Sequence, residues 1–166
     1  MAKKELVVLS HWYHLVEGLQ ESSQEFYKAV EETVKARNVP DARVSRINYH
    51  EGGILSAKRE YLRVRRKELI FDICAAPFGT GFFTSWWLGE KPGGLMALIL
   101  LIPMIGPWFV KTFKPWTYYR MDTALMFQES IRGAVKDVLE ERTSAKGLRA
   151  LSESDWKPTL SEKFLK

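Results

Sequence analysis

The fold is decided by the stretch from residue 73 to residue 110, which reads ICAAPFGTGFFTSWWLGEKPGGLMALILLIPMIGPWFV. It contains two uncharged arms, Ile73–Leu88 and Gly93–Val110, which are joined by the short linker 89–92. A helix that crosses the hydrocarbon core of a bilayer needs about 20 mainly apolar residues, with a minimum near 17. The second arm meets this length, and the glycine and proline of the linker favour a turn. The stretch therefore predicts a membrane hairpin.

The alternative is that both arms form the buried core of a domain, because uninterrupted apolar runs also occur in fully buried helices. The apolar content of the 166 residues is an ordinary 46%, yet the longest uncharged segments are concentrated in one third of the chain. This concentration favours insertion into a membrane. The first arm is short and contains Pro77, Gly79 and Gly81, which weaken a helix, so a re-entrant or interfacial arm is the second possibility.

Flanking residues predict the orientation of the hairpin. Basic side chains are frequent before the first arm and after the second, and the positive-inside rule places both flanks, and both termini, in the cytoplasm. The predicted location is the cytoplasmic (inner) membrane. Tryptophan and tyrosine side chains prefer the headgroup layer, and six of them lie near the ends of the arms. The predicted interface anchors are Trp86, Trp87, Trp108, Trp116, Tyr118 and Tyr119.

The segments outside the hairpin predict an α+β domain. The spacing of Ser22 and Glu25 is that of a capping box, and it starts an amphipathic helix that ends near Asn38. Three strands follow as an antiparallel meander, at 43–50, 54–66 and 69–75. A second amphipathic helix begins near Asp122, and a polar tail begins at Thr143. The predicted divisions are 1–72 (helix and sheet), 73–110 (membrane hairpin), 111–142 (a return segment and a helix that packs on the sheet) and 143–166 (extended tail).

A basic face is predicted on the second strand of the meander. Because strand side chains alternate, Leu62 and Val64 point to the core while their neighbours point away from it. The predicted binding residues are Arg59, Tyr61, Arg63, Arg65, Arg66 and Lys67. Near a membrane such a face attracts anionic lipid, at about 1 kcal/mol for each basic residue, or an acidic protein partner. Arginine beside tyrosine also suits nucleic acid, but the predicted position near the membrane makes nucleic acid the weaker hypothesis.

No residue pattern predicts catalysis, a metal site or a cofactor. His11 and His14 would share one face of a helix, with His50 and Glu51 as possible further ligands, but two histidines do not provide the ligand count of a metal site. Cys74, the single cysteine, excludes an intramolecular disulfide, and its apolar surroundings suppress the reactive thiolate. No motif identifies a family.

The sequence therefore predicts a small, non-catalytic interaction or assembly subunit of a complex at the cytoplasmic membrane. Two alternatives remain open at this point. One is a membrane-tethered enzyme or metal-binding protein that uses the histidines. The other is a soluble protein that docks its apolar hairpin inside a large assembly.

Overall fold

A computed structural model describes residues 7–50, 58–91 and 117–161 of the chain. These residues form six strands and two helices. The elements are β1 (Val7–Glu17), α1 (Ser23–Ala36), β2 (Arg43–His50), β3 (Lys58–Arg66), β4 (Leu69–Phe78), β5 (Gly81–Glu90), α2 (Tyr118–Ala145) and β6 (Thr159–Leu160).

The strands form one sheet in the order β2-β3-β4-β5-β1-β6, and every neighbouring pair is antiparallel. The predicted meander is present as β2, β3 and β4, within a larger sheet. Two-residue loops connect β3 to β4 and β4 to β5. Lys67 in the first loop has a φ of 53° and Gly79 in the second a φ of 59°, the left-handed conformation that lets such loops follow the twist of the strands.

The prediction of a membrane hairpin is wrong. Its first arm, 73–88, is the β4–β5 hairpin, in which Phe78 pairs with Gly81 across the turn. None of the helices in the described residues is both long and apolar enough to cross a membrane. The second arm, 93–110, lies outside the described residues. The assignment to the cytoplasmic membrane, with both termini in the cytoplasm, depended on two membrane arms and is contradicted with them.

The two helices lie close to their predicted positions. Ser22 is the N-cap of α1, although its side chain makes no capping hydrogen bond. Helix α2 begins four residues before Asp122, because the side chain of Thr117 accepts a hydrogen bond from the backbone N–H of Arg120 and caps the helix there. It ends at Ala145, so it includes the first three residues of the predicted tail.

Both helices pack on the same face of the sheet. Phe26 of α1 contacts Phe82 of β5 edge-on, with ring centroids 5.3 Å apart. Phe127 of α2 contacts Phe71 of β4 in the same way, at 6.3 Å. At the other end of the sheet the hydroxyl of Ser10 on β1 donates to Gln128 of α2. The core therefore lies between this face and the helices.

A tyrosine from α1 replaces one hydrogen bond of the sheet. β3 and β4 pair only from Leu62 with Ile73 to the loop, so Glu60 and Ala75 are the next partners that could exchange a direct bond. Instead the hydroxyl of Tyr27 accepts from Ala75 N at 2.8 Å and donates to Glu60 O at 2.9 Å. Burial raises the pKa of Tyr27 strongly, which keeps this hydroxyl protonated.

Candidate functional site: the distal face of the sheet

The face of the sheet that points away from both helices is called the distal face below. Its members follow from the alternation of side chains along each strand, starting from core positions such as Phe71 and Phe82. The side chains that matter for the site are Tyr49 (β2), Arg59, Tyr61, Arg63 and Arg65 (β3), Asp72 and Cys74 (β4), Phe83 and Trp87 (β5), and His11 and Tyr13 (β1).

An ion pair stands near the middle of the distal face. Arg63 donates to both carboxylate oxygens of Asp72, each at 2.7 Å, and also to the hydroxyl of Tyr49. Tyr49 in turn donates to Asp72 at 3.0 Å. The carboxylate raises the pKa of Arg63, and the bidentate geometry fixes the guanidinium in place. Since Asp72 neutralises Arg63, this pair contributes no net charge to the face.

The other predicted basic residues divide between three positions. Arg59 and Arg65 are exposed on the distal face, and no ion pair joins them to a carboxylate in the part of the chain that the structure describes. Arg66 points the other way and donates to the carbonyl of Pro40 at 3.0 Å. Lys67 lies in the β3–β4 loop and approaches Asp41 at 3.9 Å. The basic face is therefore present on β3, without Arg66.

Aromatic rings occupy the opposite half of the distal face, on β5 and β1. His11 stacks on Trp87, with ring centroids 4.6 Å apart and planes 12° from parallel. Tyr13 lies 6.4 Å from Phe83. Trp87 keeps 38% of its surface exposed and Tyr13 keeps 65%. Phe78, at the end of β4, is 72% exposed, so the aromatic half extends toward the β4–β5 turn.

The predicted interface anchors do not form two belts. Trp86 is fully buried and stacks on Phe71 at 4.9 Å, so it belongs to the core. Its neighbour Trp87 points to the distal face, because consecutive strand residues face opposite sides. Tyr118 and Tyr119 are exposed at the start of α2. Trp108 and Trp116 lie outside the described residues.

The residues considered for chemistry are not brought together. His11 and His14 lie on a strand rather than a helix, so they point to opposite faces of the sheet. The side chain of His50 lies outside the described residues, and no group of metal ligands occurs within the described ranges. Burial raises the pKa of the Cys74 thiol, which disfavours the thiolate as the sequence predicted.

Sequence reasoning missed the aromatic half of the distal face, and it placed Asp72 opposite the apolar side of its strand without its pairing to Arg63. The sequence signal for His11 and Tyr13 was the pair Trp12 and Val16, two large apolar residues at even-numbered positions. Both are buried, so the odd-numbered residues of this strand point to the other face. The signal for Asp72 was its position directly opposite Arg63 once the meander is drawn in register.

Comparison with known protein families, with curated proteins and with solved structures gives no match to this chain.

Proposed function

We propose that this protein is a non-catalytic binding module that uses the distal face to hold a protein partner. The observation that carries the proposal is the presence of exposed aromatic rings and uncompensated arginines on a single face. Tyrosine, tryptophan and arginine are the residues that contribute most to protein interfaces, and large exposed apolar groups that lie together mark interaction sites.

The charge distribution defines the chemistry of the partner. Arg59 and Arg65 stand on β3, whereas Trp87 and Tyr13 stand on β5 and β1, with β4 between them. Neighbouring strands lie about 4.8 Å apart, so about 10–14 Å separate the two halves. A complementary partner carries an apolar patch with acidic side chains at about this distance on one side. The net charge of +5 favours the encounter with an acidic protein.

Protein fits the distal face better than nucleic acid does. Single-stranded nucleic acid needs open ring faces on which bases stack. One face of Trp87 is occupied by His11, and Tyr61 is half-buried and packs edge-on against Tyr49 at 5.2 Å. Arg63, which would contact phosphate, is held by Asp72. Anionic lipid was expected together with the membrane hairpin, and the argument for it ends with the hairpin.

Site-specific photo-crosslinking tests the proposal. A photoreactive amino acid is placed at Tyr13 on the distal face, and, as a positional control, at Glu32 on the exposed side of α1. We expect a discrete protein adduct from position 13 in native cells and none from position 32. Arg65→Glu should abolish the adduct, while Lys28→Glu, the same charge change on α1, should preserve it.

The identified partner then provides the decisive measurement. Its affinity for the purified protein should fall with salt and with Arg65→Glu, and replacement of the facing acidic residue of the partner by lysine should restore the affinity for Arg65→Glu. An adduct that consists of nucleic acid, an adduct formed equally at both positions, or no adduct at position 13 contradicts the proposal.

A further inference from the structure

Strand β1 has one edge that is fully paired and one that is mostly free. Ten of its residues pair with β5 on the first edge. On the second edge β6 pairs only with Ser10 and His11, and Ser161 N adds a hydrogen bond to Leu9 O at 2.8 Å. No strand among the described residues pairs with β1 on this edge beyond His11.

Two hydrogen bonds show which backbone groups point to the free edge. Gly18 N donates to Thr80 O at 3.0 Å, so the even-numbered residues of this part of β1 point toward β5. Leu9 O accepts from Ser161 N, so the odd-numbered residues point toward β6. Consecutive strand residues direct their backbone groups to opposite edges. Tyr13, Leu15 and Glu17 therefore direct an N–H and a C=O each to the free edge.

A cleft of about 300 Å³ runs along this edge. One wall is β1 from His14 to Glu17, and the other is the segment 148–151 together with Asp155. The volume is at the lower end of the range of about 300–1,000 Å³ for ligand pockets. Polar and apolar surface contribute about equally to the lining, the apolar part from residues such as Leu15 and Leu151 and the polar part from residues such as Arg149 and Asp155.

The second wall contacts β1 at both ends of the cleft, and these contacts leave a gap between them. Trp156 stacks on Trp12, with ring centroids 4.7 Å apart, and Trp12 Nε1 donates to Asp155 O at 2.6 Å. At the other end, a Cβ added to Gly18 would lie 3.3 Å from Leu148, so the tail closes on β1 there. Between these contacts the backbone of the tail runs beside the strand without pairing with it.

We propose that this cleft binds an extended segment of a partner protein, with alternating apolar and polar side chains, which adds to β1 as an antiparallel strand in line with β6. Unpaired edges attract extended chains, and β-strand addition is a common mode of peptide recognition. β6 already shows that this edge accepts an antiparallel strand. The volume admits a few residues with small side chains such as valine and threonine. The proposal uses backbone groups in the plane of the sheet, whereas the distal face uses side chains; Tyr13 contributes to both.

Nuclear magnetic resonance of the full-length protein tests the proposal with the peptide Ac-Lys-Val-Thr-Val-Thr-Val-Lys-NH2. We expect the amides of Tyr13, Leu15 and Glu17 to shift and to become protected from hydrogen exchange. The amides of His14 and Val16, which already bond to β5, should change much less. Saturation with no change at the three odd-numbered amides, or no saturable change up to millimolar peptide, overturns the proposal.

One matched pair of peptides and one matched pair of protein variants separate backbone pairing from side-chain contact. Peptides N-methylated at alternate residues differ only in which edge is blocked, and we expect one pattern to weaken binding at least tenfold and the other to preserve it. Leu15→Pro removes a single N–H from the free edge, whereas Leu15→Ala keeps it and removes only the side chain. We expect the proline variant to bind at least tenfold more weakly than the alanine variant. Equal binding by both peptides contradicts strand addition, even if the proline variant fails to fold.

Discussion

Replacement of Tyr27 by phenylalanine should destabilise the protein far more than the loss of one hydroxyl usually does. The hydroxyl replaces a direct hydrogen bond between β3 and β4 by accepting from Ala75 N and donating to Glu60 O. Tyr27 is 1% exposed, so water does not reach the groups that its removal leaves behind. The variant therefore buries an unpaired N–H of Ala75 and removes one partner of Glu60 O.

The magnitude follows from these two losses. A buried donor without a partner costs about 1–3 kcal/mol, and the net contribution of a second hydrogen bond is about 0.5–1.5 kcal/mol. Phenylalanine fills the same space, so no cavity term is added. We expect the free energy of unfolding to fall by about 2–3 kcal/mol. For a chain of this size that corresponds to a Tm lower by about 5–10 °C.

Urea unfolding followed by circular dichroism measures this change. Tyr13→Phe is the matched control, because Tyr13 is 65% exposed, and its variant should lie within about 0.5 kcal/mol of the parent. If the two variants have equal stability, β3 and β4 can close and form the direct bond. The bridging role of Tyr27 would then be refuted.

Three further predictions concern the ion pair, the tail and alkaline pH. Asp72→Asn should lower the free energy of unfolding by about 2–3 kcal/mol, because the Asp72 side chain is only 4% exposed and the variant leaves Arg63 without its anion. Glu31→Gln, in the exposed pair with Lys35, should lower it by at most about 0.5 kcal/mol in the same urea assay. Trp156→Ala should lower the free energy of unfolding by about 3–5 kcal/mol and accelerate trypsin cleavage after Arg149, because the stack on Trp12 holds the tail; unchanged cleavage would argue against that role. Burial raises the pKa of Cys74 above its ordinary 9.0 and the pKa values of Tyr27, Tyr49 and Tyr61 above 10.0. The native state therefore keeps protons that the unfolded state releases at alkaline pH. The free energy of unfolding should begin to fall near pH 9 and fall more steeply above pH 10. Cys74→Ala should remove the first part of this fall in unfolding curves measured at each pH, and an unchanged profile would contradict the assignment.

The strands of the meander and the first helix could be predicted because their patterns have a single explanation. In β3 the residues Tyr61, Arg63 and Arg65 alternate with the core positions Leu62 and Val64, and this period of two excludes a helix. In α1 the apolar residues Phe26, Val30 and Val34 recur at the helical spacing. Half of the candidate site, the arginines of β3, followed directly from this alternation.

The stretch 73–88 could not be assigned by the same reasoning. β4 and β5 are inner strands, and within 73–88 their distal positions, such as Cys74, Ser85 and Trp87, are uncharged like their core positions. Without a polar face the period of two disappears, and a run of 16 uncharged residues looks like one apolar helix. The contrary signal was Gly79, which falls between two runs short enough to be strands and allows a tight turn.

The bridge formed by Tyr27 also determines the geometry of the distal face. The arginine half of that face is carried by the β2–β3 hairpin, which joins β4 through only five residue pairs, from Leu62 to Arg66. Beyond these pairs the spacing between β3 and β4 depends on the hydroxyl of Tyr27, which lies between Glu60 and Ala75. The hairpin supplies the charges and β5 with β1 supplies the rings, so a helix residue on the opposite side of the sheet controls the distance between Arg59 and the rings, while Arg65 lies within the directly paired part. This coupling could not be predicted from the sequence, because Tyr27 looks like one more member of an amphipathic helix until its hydroxyl is located between two strands.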